Sequence, residues 1–211
     1  MAIENLRRRV IEEIKRPKER DLQSRVGPSG LGNPCPKCLG REMAGEPAVQ
    51  DFSLFPWIGT AGHEYLENHT FSEYRHERKV YVGEVPGYGP IKGTTDMTGD
   101  GSVVDWKFVG KKKITEYRLK GVREQYRFQA HLYGRGVELE GDEVDSVSIV
   151  FIPRDSGNVE DVWVHTEEYN PDMAQAALDR AGVVYGIVLE QGWQALPSDE
   201  DCWTCRMEGL V

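Results

Sequence analysis

Apolar residues recur at Ile3, Leu6, Val10, Ile11 and Ile14, and Pro17 ends the run. That three- and four-residue spacing predicts an amphipathic helix over 3–16. Residues 21–56 lose the periodicity and are rich in Gly, Pro and Ser, densest at Pro28-Ser29-Gly30-Leu31-Gly32-Asn33-Pro34-Cys35-Pro36-Lys37-Cys38. This stretch reads as loop or short helix and not as strand. A second helix is expected from about Trp57 to Arg78. The period then falls to two in Lys79–Val85, the mark of a half-buried strand. A long helix is expected over about Thr115–Leu139, where Leu119, Val122, Tyr126, Gln129, Ala130 and Tyr133 share a stripe. Val144–Pro153 is β-branched and apolar, Ser156-Gly157-Asn158 reads as a turn, and Val159–His165 alternates again. Pro171–Gln191 is the last helix. The order αα-βββ-α-ββ-α fits an α/β (α+β) fold, a mixed central sheet flanked by helices. It predicts a single domain over 1–211, with a core of about 57–192.

The middle of the chain carries a sharper signal, Gly93-Thr94-Thr95-Asp96-Met97-Thr98-Gly99-Asp100-Gly101-Ser102-Val103-Val104-Asp105-Trp106-Lys107-Phe108. Asp-Gly favours a type I′ turn, because both central residues need positive φ. With Asp100-Gly101 as the loop, Gly99 faces Ser102, Thr98 faces Val103 and Met97 faces Val104. Asp96 would then face Asp105, with β-carbons about 5 Å apart. Two like charges so placed repel unless a cation lies between them. Lys107 shares the Asp105 face, while Val104, Trp106 and Phe108 point the other way into a core. Such a face is how a hydrolytic metal site would be built on rigid strands.

Composition narrows the partners. The net charge of −9 excludes a protein that coats nucleic acid through a global positive field. The charge is uneven, however: Lys107, Lys111, Lys112, Lys113, Arg118, Lys120, Arg123 and Arg127 face only Glu116 and Glu124 in the same stretch. A local basic stripe beside acids suits brief contact with a polyanion, with Lys111 and Lys112 as candidate substrate contacts. No apolar run has membrane-spanning length and the first residues lack a signal-peptide core, so an intracellular, cytoplasmic protein without membrane contact is expected.

Cys35, Cys38, Cys202 and Cys205 are all the cysteines, and they form two Cys-x-x-Cys pairs near the two ends of the chain. Two such pairs suit a tetrahedral Zn²⁺ or a [4Fe–4S] cluster, and here they would clamp the ends around the core. His63 and Glu67 lie one helical turn apart. His-Glu-x-x-His fails because position 67 is Glu, so the zinc-peptidase reading is set aside. Gln129 and Tyr133 are also one turn apart and project from one helix face.

Taken together, Gly-Thr-Ala-Gly-His63-Glu, Gly93-Thr-Thr-Asp96, Asp105-Trp-Lys107 and Gln129-Ala-His-Leu-Tyr133 resemble the ordered motifs of the RecB-like branch of the PD-(D/E)xK nucleases. The resemblance spans about residues 59–133, and the cysteines extend it to 35–205. It implies a restriction-endonuclease-like core. It also implies Mg²⁺ or Mn²⁺ on His63, Asp96, Asp105 and the Trp106 carbonyl, with Lys107 orienting or activating the attacking water. Gln129 and Tyr133 would hold the substrate strand.

The chemistry agrees, since phosphodiester hydrolysis needs a Lewis acid on the phosphoryl oxygens. CRISPR-associated exonucleases of this branch often clamp their ends with four cysteines around [4Fe–4S], which favours iron–sulfur over zinc. This chain departs from their one-early, three-late arrangement. The expected function is therefore a metal-dependent DNA exonuclease acting on single strands or ends in recombination, repair or processing, with a helicase or recombination partner possible. The alternative is a catalytically silent DNA-binding or scaffold protein on the same fold.

Overall fold

A computed structural model describes residues 3–15, 25–46 and 53–210. Its centre is a five-stranded mixed sheet in sequence order: β1 (Arg75–Val85), β2 (Gly89–Gly99), β3 (Ser102–Val109), β4 (Ser146–Pro153) and β5 (Trp163–Glu168). Neighbours pair antiparallel except β3 and β4, which run parallel from Ser102↔Ser146 to Val109↔Pro153. A parallel pair needs a crossover, and here it consists of α5 (Lys111–Lys120) and α6 (Glu124–Leu139). The remaining helices are α1 (Ile3–Ile14), α2 (Pro28–Leu31), α3 (Pro36–Met43), α4 (Leu54–His69), α7 (Pro171–Gln191) and α8 (Trp203–Met207). Among the described residues, no helix is long and apolar enough to cross a membrane.

The main core lies between the sheet and α6 and α7. Val80, Val82, Ile91, Val103, Val147, Ile149 and Phe151 meet Phe128, Leu132, Val137, Ala174 and Leu178 there. The opposite face holds a smaller cluster of Met97, Val104 and Trp106, with Leu66 and Phe108 packed against it. Alternation along β3 therefore holds, with one correction. Val104, Trp106 and Phe108 do enter an apolar cluster, but the larger core is on the Asp105 side, beneath α6.

Several boundaries differ from the expected ones. The second helix starts at Leu54, where the Ser53 hydroxyl accepts the Phe55 N–H at 3.3 Å, and stops at His69. Arg75–Arg78, expected to be helical, begin β1 because they pair with Thr95–Thr98 of β2. The expected helix over Thr115–Leu139 is two helices, broken at Gly121 with φ of +91°. The apolar stripe hides the break because the spacing continues in phase across it. Val159–Asp161 is a 3-10 turn capped by Asn158, and the last strand begins only at Trp163. Within 21–56 the described residues form α2, α3 and the start of α4 and no strand; residues 16, 21–24 and 47–52 lie outside the described residues. The last helix has the expected bounds.

Candidate active site

The hairpin turn forms as read, with Asp100 at φ of +49° and Gly101 at +70°. The ladder then holds only at Gly99↔Ser102, Thr98↔Val103 and Met97↔Val104. Asp96 and Asp105 are not a ladder pair, because β2 and β3 separate one residue earlier. The separation leaves the Trp106 N–H without a backbone partner, and Asp96 Oδ2 accepts it at 2.7 Å. Asp96 Oδ1 turns to α4, 3.1 Å from His63 Nδ1. The expected opposition of two acids across a closed ladder is thus corrected to an open fork, with one carboxylate spanning its gap.

Asp105 lies on the other arm of the fork and is 1% exposed. Gln129 on α6 donates its Nε2 to Asp105 Oδ1 at 2.9 Å and reaches the Tyr133 hydroxyl at 3.4 Å. Lys107 Nζ forms an ion pair with Asp105 Oδ2 at 2.7 Å. Burial pushes the Asp105 carboxyl up to about 6; Lys107 opposes the shift and the Asp96 charge adds to it. Burial alone would lower His63, but its bond to Asp96 and the charges of Asp96 and Asp105 outweigh that and raise it. Burial, then the Asp105 charge, raises Tyr133, which stays a neutral phenol. A buried carboxylate, a second carboxylate and an imidazole make a donor set that fits a hard divalent ion. The His63–Asp96 hydrogen bond would have to open for all three to share it.

His63, Asp96, Asp105, Lys107, Gln129 and Tyr133 are thus joined by one run of contacts and charges. Lys111 and Lys112 are not part of it. The Lys111 ammonium pairs with Asp161 at 2.7 Å and its N–H goes to Asp155, while Lys112 is exposed. One further partner was not legible in the sequence: the Trp106 N–H that Asp96 accepts. It follows from how far the ladder extends, which no residue type announces.

The four cysteines form a second centre. Cys35 caps α3 and Cys202 caps α8, so each Cys-x-x-Cys occupies the first turn of a short helix and both its thiols face the same way. All four Sγ atoms lie within 4.8 Å of one another, the closest being Cys38 and Cys202 at 3.4 Å. Among the described residues, no other His, Cys, Asp or Glu group gathers three ligand atoms so tightly. Burial opposes the Cys35 thiolate, yet backbone N–H groups of Asp199 and Cys38 bring its pKa down. Burial raises Cys38 and pushes Cys205 up to about 12. Thiolates held so close need a cation, and these residues fit a soft metal centre. The Lys37 N–H to Pro197 carbonyl bond and the Arg41–Glu208 ion pair stitch the two segments together.

The fold is an α/β architecture, a five-stranded mixed sheet flanked by helices with four cysteines gathered in one group. No family model matches the sequence, and no curated protein matches it. Among solved structures, one similar chain is from Eubacterium rectale and bears the name "putative exonuclease". It is 14% identical, with a TM-score of 0.57 over 91% of this chain and 93% of that one. Another is the alkaline exonuclease LHK-Exo of Laribacter hongkongensis, 8% identical, with a TM-score of 0.53 over 79% of this chain and 88% of that one. LHK-Exo has also been solved in complex with dAMP. At such identities the likeness is one of fold.

Proposed function

We propose that this chain is a metal-dependent DNA exonuclease of the RecB-like PD-(D/E)xK type, one nuclease domain over 1–211. The observation that carries this reading is the buried Asp105, held between Gln129 at 2.9 Å and Lys107 at 2.7 Å and set beside the Asp96–His63 pair. Burying one carboxylate close to a second is costly unless function requires it. The exonuclease fold and the dAMP complex of LHK-Exo support the same chemistry. Mg²⁺ or Mn²⁺ bound by His63, Asp96, Asp105 and the Trp106 carbonyl would supply Lewis-acid stabilisation of the phosphoryl oxygens. Lys107, beside Asp105 and 5.4 Å from the Tyr126 ring, orients the attacking water and takes part in its deprotonation. Gln129 holds Asp105 in place, and Tyr133 steadies Gln129.

For the cysteine centre, the close thiols bear on the choice between zinc and [4Fe–4S]. A tetrahedral Zn²⁺ with Zn–S of about 2.3 Å sets its sulfurs about 3.8 Å apart. A cubane, with each thiolate on a different iron, spreads them more widely. The observed Sγ separations of 3.4 and 3.6 Å therefore favour zinc over the iron–sulfur cluster implied by the resemblance. Its role in this reading is structural, closing the two ends of the chain on each other.

The test is degradation of end-labelled single- and double-stranded DNA with and without Mn²⁺, by the parent and by Asp105→Asn. The proposal requires metal-dependent loss of label by the parent alone. DNA binding without degradation by the parent under any divalent ion would favour the catalytically silent alternative.

A further inference from the structure

The start of α4 bears an aromatic surface for which the proposed reaction has no use so far. The helix lies close on β3 because Gly62 has no side chain: a β-carbon there would meet the Phe108 ring at 2.2 Å. His63 stands 5.5 Å from the same ring. Two turns back along this face is Phe55. Phe55 remains 55% exposed although the Arg154 guanidinium lies 3.7 Å from its ring centroid. Arg154 also donates to the Phe108 carbonyl at 3.2 Å.

Phe108 follows Lys107 directly. A run of contacts, Asp96, His63, Phe108, Arg154 and Phe55, therefore leads from the fork to the helix start. At the strand's rise of about 3.3 Å per residue, the Phe108 carbonyl is about 10 Å along β3 from Asp105. Leu54, Trp57 and Ile58 continue the exposed apolar surface. Beyond Arg154, Asp155 accepts the Lys111 N–H at 2.7 Å and Asp161 pairs with the Lys111 ammonium at 2.7 Å.

We infer that Phe55 and Arg154 form a stacking platform for the bases of a single strand whose phosphate is cut at Asp96 and Asp105. The inference rests on the nuclease reading above. A nucleobase offers a flat π face to an aromatic ring or a guanidinium, whatever its sequence, and a nearby cation suits the adjoining phosphate. An apolar helix stripe alone would equally suit a protein. The planar cation laid on the ring and its direct bond to the residue after Lys107 favour nucleic acid. Paired bases have their faces occupied in the duplex, so the platform selects single strands or frayed ends.

The experiment is fluorescence anisotropy with the full chain in an Asp105→Asn background, which leaves DNA uncut. A short oligothymidylate is compared with an abasic oligomer of equal length. The expected result is about tenfold tighter binding of the thymidine strand, the size of one stacked base. Phe55→Leu removes most of that difference without changing abasic affinity, and Phe55→Trp keeps it. Phe55→Leu is on the surface and preserves apolar volume, so the fold is not at stake. Equal affinity for the two oligomers, or a preference that survives Phe55→Leu, overturns the platform. So does Phe55→Leu dissociating an oligomer while base preference stays intact, since the patch is then a protein interface. If the parent degrades DNA but shows no base preference, the platform alone falls. If it neither binds nor degrades DNA, both readings fall.

Discussion

Gln129 donates its side-chain amide to Asp105 Oδ1 at 2.9 Å, across 24 positions of sequence and from a helix onto a strand. The resemblance would have Gln129 hold substrate, but in this structure it holds the acid. Groups of this kind orient a metal ligand, and their loss typically costs ten- to 100-fold in metal affinity. Gln129→Leu should therefore weaken Mn²⁺ binding by roughly that factor in a calorimetric titration. DNA affinity lost with Mn²⁺ affinity intact would return Gln129 to a substrate role.

Asp105 should be a residue that activity needs and stability does not. Burial raises its pKa to about 6, so at pH 7.5 and above the folded protein carries a charge that the unfolded chain holds more cheaply. Asp105→Asn should abolish hydrolysis and raise the melting temperature of metal-free protein by a few degrees, on the order of 1 kcal/mol. Paired calorimetry and nuclease assays measure both. A destabilised variant would mean that the Lys107 contact outweighs the burial.

Lys107→Met should leave Mn²⁺ binding in place and lower cleavage by at least about 100-fold, the usual scale for proton transfer by a positioned group. Single-turnover cleavage and metal titration on the same preparation separate the two effects. Near-parental cleavage would remove Lys107 from the reaction.

A separate pH dependence comes from His131, buried on α6. Its Nδ1 accepts the Asn170 N–H at 3.2 Å and its Nε2 faces Glu167 at 3.3 Å, with Arg127 and His165 on the same carboxylate. Burial lowers its pKa, and Glu167 only partly offsets this. Below the ordinary histidine range the unfolded chain binds the proton first, so stability is present above about pH 6.5 and lost as pH falls. The loss is at most about 1.4 kcal/mol per pH unit. Glu167, lowered to about 2 against burial by Arg127 and His165, withdraws its own contribution only below about pH 4.5. Melting temperatures from pH 8 down to 5 should fall more steeply for the parent than for His131→Gln, and identical slopes would exclude His131 as the source.

The cysteine centre should matter first for stability. Cys35 and Cys205 are 170 positions apart, and closing a loop of that length is worth roughly 5 kcal/mol in the chain-entropy model. Cys202→Ser should release the metal and lower the melting temperature on the order of 10 °C. Elemental analysis identifies the metal, with colourless protein and one zinc per chain expected. Brown protein with matched iron and sulfide would restore the cluster.

Much of this protein is local in origin and therefore legible in its sequence. Asp100-Gly101 determined the turn and three ladder pairs, because type I′ geometry depends on the two residues that form it. Pro171 to Gln191 determined its helix, and two Cys-x-x-Cys pairs indicated a shared centre before any fold was known. The sequence had no means of announcing where β2 and β3 part, since that depends on β3 joining β4 and on α4 and α6 closing over opposite faces. That separation turned Asp96 onto the Trp106 N–H and His63, and left Asp105 buried against Gln129. The apolar stripe likewise hid the break at Gly121, because periodicity records which face is apolar and not whether the backbone is continuous. Arg154 follows β4, the neighbour of β3, and from there reaches Phe108 and also Phe55 on α4. No local pattern encodes that meeting; only the stacking of α4 across the sheet brings them together.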